Sequence, residues 1–162
     1  MHERQDFIQR LLEELRRTLV QVRRFRDAGS HDAALATLLQ AQERLFVRPA
    51  QEFMVLPVDK QLRLLVIGES DAAAREKSLI FATLLTEMGI TYQVRGQVAP
   101  AHGAYQLALQ VLLLAAHQFA SQNFPEFRVG IDALRPLLPA EQLSPEVAAL
   151  LAAFDASAPP AP

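Results

Sequence analysis

Residues that could do chemistry are few in this chain of 162 residues, and the most suggestive group stands at Gly68-Glu69-Ser70. It lies within LRLLVIGESDAAARE, Leu62 to Glu76, where an apolar run leads into a serine-bearing turn and then a helix-forming segment. A strand, a sharp turn and a helix in that order build the nucleophile elbow of an α/β-hydrolase. Such an elbow needs a parallel sheet beneath it, and no other strand-like run with turn signals accompanies Leu62 to Ile67. The motif reads Gly68-Glu69-Ser70-Asp71-Ala72, so the second glycine of G-x-S-x-G is missing. His102 and His117 follow, both inside helical patterns. The expected role is structural: Gly68 ends one helix and Ser70 or Asp71 caps the next, where acids suit the helix dipole.

Other chemistries find less support. The chain has no cysteine, which excludes disulfides and thiol nucleophiles. His2, His31, His102 and His117 share no metal-ligand spacing, and neither H-E-x-x-H nor Glu-x-x-His occurs. No glycine loop could cradle a phosphate. No metal or cofactor is expected. An enzyme is not expected either, because nothing gathers acid, base and nucleophile in one place.

The elements that carry these residues read as helices. Alanine, leucine and arginine are abundant and favour helix, whereas β-branched residues are scattered. From Asp6 to Asp27 the apolar residues Phe7, Ile8, Leu11, Leu12, Leu15, Leu19, Val22 and Phe25 recur at helical steps. Gly29 stops that helix, and Ser30 or Asp32 can cap the next, DAALATLLQAQERLF. Pro49 and Pro57 bracket a connecting segment whose state the sequence leaves open. A short helix over Asp59–Ile67, a long one from Asp71 to about Arg95 and another from Pro100 to about Gln122 follow. Pro125, Pro136 and Pro139 divide the remainder into shorter helices, the last over roughly Pro145 to Phe154. The expectation is one all-α domain of six or seven helices over residues 1–155, with a disordered Ala/Pro tail at 156–162.

Charge and hydropathy narrow the setting. The net charge of −2 gives no global case for nucleic acid. Arginines and acids alternate along the first helix, which describes a solvated face better than a phosphate-binding patch. The opening MHERQDFIQR has no short apolar core and small-residue cleavage site, so it does not read as a signal peptide. The apolar run Leu107–Ala120 is interrupted by Gln110, His117 and Gln118 and falls short of ~20 apolar residues. A cytoplasmic protein is the expectation.

Two helical hairpins share a spacing. Phe25, Gly29, Ala34, Leu38 and Ala41 are separated by four, five, four and three residues, and so are Tyr92, Gly96, Ala101, Tyr105 and Ala108. An aromatic side chain fills the gap between the paired helices, glycine allows the turn, and alanines allow close approach. With Leu85, Met88 and Gly89, the stretch from Ala82 to Leu114 resembles a tetratricopeptide repeat at nearly every signature position. The first hairpin matches in part, since Thr18 and Val22 stand where large and small residues belong. The two glycines lie 67 residues apart, close to twice the ~34-residue period. With its opening DFIQRLLEEL helix and one clear repeat after a linker, most of the chain also resembles a group of uncharacterised small bacterial helical proteins.

That resemblance implies a short right-handed array of stacked antiparallel hairpins working as a protein-interaction scaffold, with a peptide held in a groove lined by the first helix of each pair. It places Thr83, Thr86, Ile90 and Gln93 in the groove from the second hairpin, and Arg16, Leu19, Arg23 and Arg26 from the first. Thr86 and Ile90 replace the lysine and asparagine of the carboxylate-binding subclass, so capture of a C-terminal carboxylate is not implied. The alternative is a helical regulatory domain binding a small ligand or nucleic acid. Phe7, Leu12 and Val20 broaden the apolar face of the first helix, which points to a homodimer contact.

Overall fold

Three glycines at φ of 76°, 75° and 82° (Gly29, Gly68 and Gly96) punctuate the chain, each in the left-handed conformation that ends a helix without steric cost. The computed structural model describes residues 2–120 and 124–157, and among them every regular element is helical. The helices are α1 (His2–Asp27), α2 (His31–Phe46), α3 (Ala50–Phe53), α4 (Val58–Val66), α5 (Asp71–Val94), α6 (Val98–Gln118), α7 (Pro125–Leu134) and α8 (Pro145–Ala156). Short 3-10 turns at Arg135–Leu137 and Ala140–Gln142 join α7 to α8.

The turns after α1 and α5 close in the same way. Ser30 N–H donates to the Phe25 carbonyl and Gly29 N–H to that of Arg26, while Gln97 donates to Tyr92 and Gly96 to Gln93. Each is a Schellman closure, and in both the far acceptor belongs to the aromatic residue of the shared spacing. The turn after α2 has this pattern too, with Arg48 donating to Glu43 and Val47 to Arg44. There the left-handed residue is Val47, at φ 55°, where a β-branched side chain is strained. Ser70 starts α5 as a cap: its Oγ accepts from Ala73 N–H at 3.3 Å. With no strand among the described residues, the Gly68-Glu69-Ser70 turn is a helix junction.

Packing centres on α5 and α6, whose mutual contact is the most extensive in the fold; α1, α2 and α4 lie against α5, and α4, α7 and α8 against α6. A Cβ on Gly89 would collide with the Tyr105 ring, so glycine there is what lets α5 and α6 come together. In the α1–α2 pair Val22 and Leu38 hold the corresponding positions, and both are fully buried. Gly130 does for α7 what Gly89 does for α5, since a Cβ there would lie 2.8 Å from Leu112 Cδ1. One continuous core runs from Val22 to Val147.

The structure differs from the sequence reading in several places. Among the described residues there are eight α-helices rather than the expected six or seven, because the segment left open contains the single turn α3. Its Phe53 stacks on Phe46 with ring centroids 4.1 Å apart, and the Glu43 carboxylate accepts from Ala50 N–H at 2.9 Å. Helix α1 begins four residues earlier than expected, α6 ends at Gln118 rather than near Gln122, and α8 runs on to Ala156. Helix α6 is, by length and composition, apolar enough to cross a membrane, contrary to the expectation from Leu107–Ala120. Within this fold the apolar surface is used against four neighbouring helices. Of the tail expected to be disordered, residues 158–162 lie outside the described residues.

Three substitutions test this packing in urea denaturation. Gly89→Val should lower stability by ~1–3 kcal/mol through overpacking. Gly103→Ala, where an added Cβ meets nothing within 4 Å, should raise it by about 0.5–1 kcal/mol. Val47→Gly should raise it by roughly 1 kcal/mol as strain is relieved.

Candidate functional site

The residues expected to line a groove recur at steps of three, four and three on both α1 and α5, so each set shares one helix face. Arg26 and Glu87 bring these two helices together. Arg26 Nη1 lies 2.6 Å from Glu87 Oε2, and both side chains are 12% exposed. The same nitrogen donates to the Glu87 carbonyl at 3.4 Å and to Thr91 Oγ1 at 3.5 Å. Thr91, itself fully buried, donates its hydroxyl to that carbonyl at 2.8 Å. Arg26 is therefore a structural tie between α1 and α5.

Gln93 has an internal partner as well: the Tyr105 hydroxyl donates to its Oε1 at 2.6 Å. The Tyr105 phenol is pushed above its ordinary range, first by burial and then by the Glu87 carboxylate, with Arg26 opposing. Thr83 and Thr86 donate to the carbonyls of Leu79 and Ala82 on their own helix, at 2.9 and 2.8 Å. Leu19 and Ile90 are half-buried, and Arg16 and Arg23 are exposed. Arg16 forms only a loose 3.7 Å pair with Glu13.

Thr83 and Thr86 nevertheless line a cleft. Together with Leu79 and Ala82 of α5 they face Val129, Gly130 and Ala133 of α7, with Leu112 of α6 completing an apolar space of about 320 Å³. Glu87 and Glu126 are its acidic residues. On α5 the side chains facing this cleft alternate around the helix with another set, Phe81, Leu85, Met88 and Tyr92, at steps of four, three and four. At about 100° per residue the two sets occupy opposite sides of α5.

The second set lines a larger cavity of about 580 Å³ between α2, α4, α5 and α6. Gln42, Gln61 and Gln110 come into it from three different helices. The sequence reading missed all three. Their signal is a polar residue in an apolar register: Gln42 lies four residues after Leu38 and three before Leu45, and Gln110 interrupts the longest apolar run. Among the described residues no three His, Asp or Glu side chains gather where they could hold a metal.

Compared with protein-family models, curated proteins and solved structures, the chain finds no match in any of the three.

Removing one partner of the Arg26–Glu87 pair strands a nearly buried charge. Arg26→Ala should cost about 3 kcal/mol, and Arg26→Met combined with Glu87→Leu should recover most of that loss. Arg16→Ala, at an exposed position, should stay within about 0.5 kcal/mol of the parent. Double-mutant thermal unfolding reads all of these. The raised Tyr105 phenol contributes stability that is fully present below the unfolded value near 10 and is lost as pH rises through the folded value. Stability should therefore fall above about pH 10, and fall less steeply in Tyr105→Phe.

Proposed function

We propose that this chain is a non-enzymatic protein-interaction module, a tetratricopeptide-like stack in which α1–α2 and α5–α6 are successive hairpins and α7–α8 covers the far end. The matching turn closures after α1 and α5 support this reading, as does the seating of Tyr105 over Gly89. The insertion containing α3 and α4 occupies the stretch where a middle repeat would fall, and α4 packs against α2, α5 and α6. The observation that carries the proposal is the cleft between α5 and α7, because two groove positions, Thr83 and Thr86, line it.

The partner in this reading is a peptide with an apolar side chain seated in that cleft and acidic residues beside it. Arg16 and Arg23 are exposed, and arginine offers a carboxylate two parallel hydrogen bonds. Arg26 is left out of the recognition set, since its guanidinium is engaged with Glu87. A location in the cytoplasm belongs to the same proposal.

Selection from a displayed random-peptide library, followed by fluorescence polarisation on the enriched peptide, is the test. The expected peptide is acidic with one large apolar residue, and its affinity should drop at least about tenfold with Thr86→Arg or with Arg16→Glu plus Arg23→Glu. No enriched peptide, or one indifferent to both variants, would overturn the proposal. Leu12 and Val20 are exposed on α1, and in this reading they form a homodimer contact. Sedimentation equilibrium should then show a concentration-dependent mass that becomes monomeric in Leu12→Glu plus Val20→Glu.

A further inference from the structure

Burying a glutamine amide costs free energy unless its hydrogen bonds are remade inside the protein. Gln42, Gln61 and Gln110 are the buried glutamines among the described residues, at 2%, 9% and 9% exposure, and all three line one cavity. Inside the chain they are unequally satisfied, and none of their amide atoms is both fully buried and without a partner. The Gln42 NH2 donates to the Met88 thioether sulfur at 2.9 Å, a weak acceptor. The Gln61 NH2 donates to the Leu56 carbonyl at 2.8 Å. Gln110 is nine-tenths buried and lines the cavity with no side-chain hydrogen bond to another of the described residues.

The rest of the lining defines what could satisfy these amides. The walls are apolar, from Phe53, Phe81, Leu85 and Leu107 among others, and no lysine, arginine or histidine is present. Glu146, at the start of α8, is the one carboxylate. An anionic headgroup would therefore be buried without a cation, at high cost. A neutral carbonyl or hydroxyl meets amide groups that both donate and accept. The volume, about 580 Å³, falls within the range of small-molecule sites, which combine apolar walls with a few converging polar groups. Met54 and Leu107 line the cavity and are also exposed, so the opening lies between the α3–α4 link and α6, and Met54 is a side chain that adapts readily to a guest.

We propose that the cavity between α2, α4, α5 and α6 is a binding site for an uncharged, largely apolar small molecule bearing carbonyl or hydroxyl groups, read by Gln42, Gln61 and Gln110. The site lies on the opposite side of α5 from the peptide cleft and stands independently of the scaffold proposal.

Nile red, an uncharged apolar dye with a ring carbonyl, is a direct probe. Titrated with the full chain, it should bind saturably at one dye per chain with a blue-shifted emission. Gly103 lines the cavity, and an added Cβ there meets nothing within 4 Å. Gly103→Leu therefore adds bulk at an exposed edge of the cavity, with no clash at its Cβ. It should weaken dye binding by at least about tenfold while the unfolding midpoint holds or rises. Gln110→Leu should weaken it about fivefold through the lost hydrogen bond, again without lowering the midpoint. Thr86→Arg, in the other cleft, should leave dye binding unchanged. Absence of saturable binding, or binding indifferent to Gly103→Leu, would overturn the site. Binding lost in Gly103→Leu but unchanged in Gln110→Leu would overturn the assignment of a polar, carbonyl-bearing ligand.

Discussion

Gly89 has no side chain where the ring of Tyr105 lies, and that gap brings α5 and α6 into close contact along most of their length. From this one approach the remaining geometry follows. Tyr105 reaches back across α5 so that its hydroxyl meets Gln93. Helix α6, now flanked by α5, still has apolar surface to bury, and α4, α7 and α8 take it up. The long apolar composition of α6 is thus a consequence of serving as the inner helix of the fold. Gly130 repeats the device on a smaller scale by letting α7 settle onto Leu112.

Helix α5 carries the corresponding burden on the polar side. Its charged and polar residues mark where neighbouring helices attach: Glu87 holds Arg26 of α1, Arg95 at its C-cap pairs with Asp32 of α2, and Lys77 meets Glu69 of the preceding turn at 2.7 Å. Lys77 also lies 5.7 Å from the Phe7 ring, a cation–π contact that gives the first turns of α1 a contact on α5. A helix engaged in this way has no single solvent face. Both of its sides border open space, the cleft toward α7 and the cavity toward α2 and α4, so one rigid element positions both candidate sites.

Most helices could be read from the residues alone because their ends carry chemistry that acts locally. Gly29 and Gly96 close turns through backbone bonds within six residues, and Ser70 caps from within its own turn. Helix α3 is not legible in the sequence because four residues cannot display a period; what places Phe53 is its stacking on Phe46, seven residues earlier. Val47 gives no sign of a left-handed turn: the side chain is 83% exposed, and the turn is closed by local backbone bonds, Val47 N–H to Arg44 and Arg48 N–H to Glu43. The groove positions suffered from the same limitation. Arg26 looks like its neighbours Arg23 and Arg24, and only the fold reveals that Glu87, 61 residues away, accepts from it. The three glutamines were overlooked for the opposite reason: each interrupts an apolar stripe, and such interruptions look like boundary positions until their helices converge on one cavity.

If the α5–α6 pair is the frame on which both candidate sites are built, it must also be the last part of the molecule to open. Native-state hydrogen exchange, resolved by residue, measures this directly, because amides released only by global unfolding identify the most stable unit. The slowest amides should lie in α5 and α6, around Leu84–Gly89 and Tyr105–Leu113, with α3 and α8 exchanging earlier. Amides of α1 and α2 outlasting those of α5 and α6 would contradict this order.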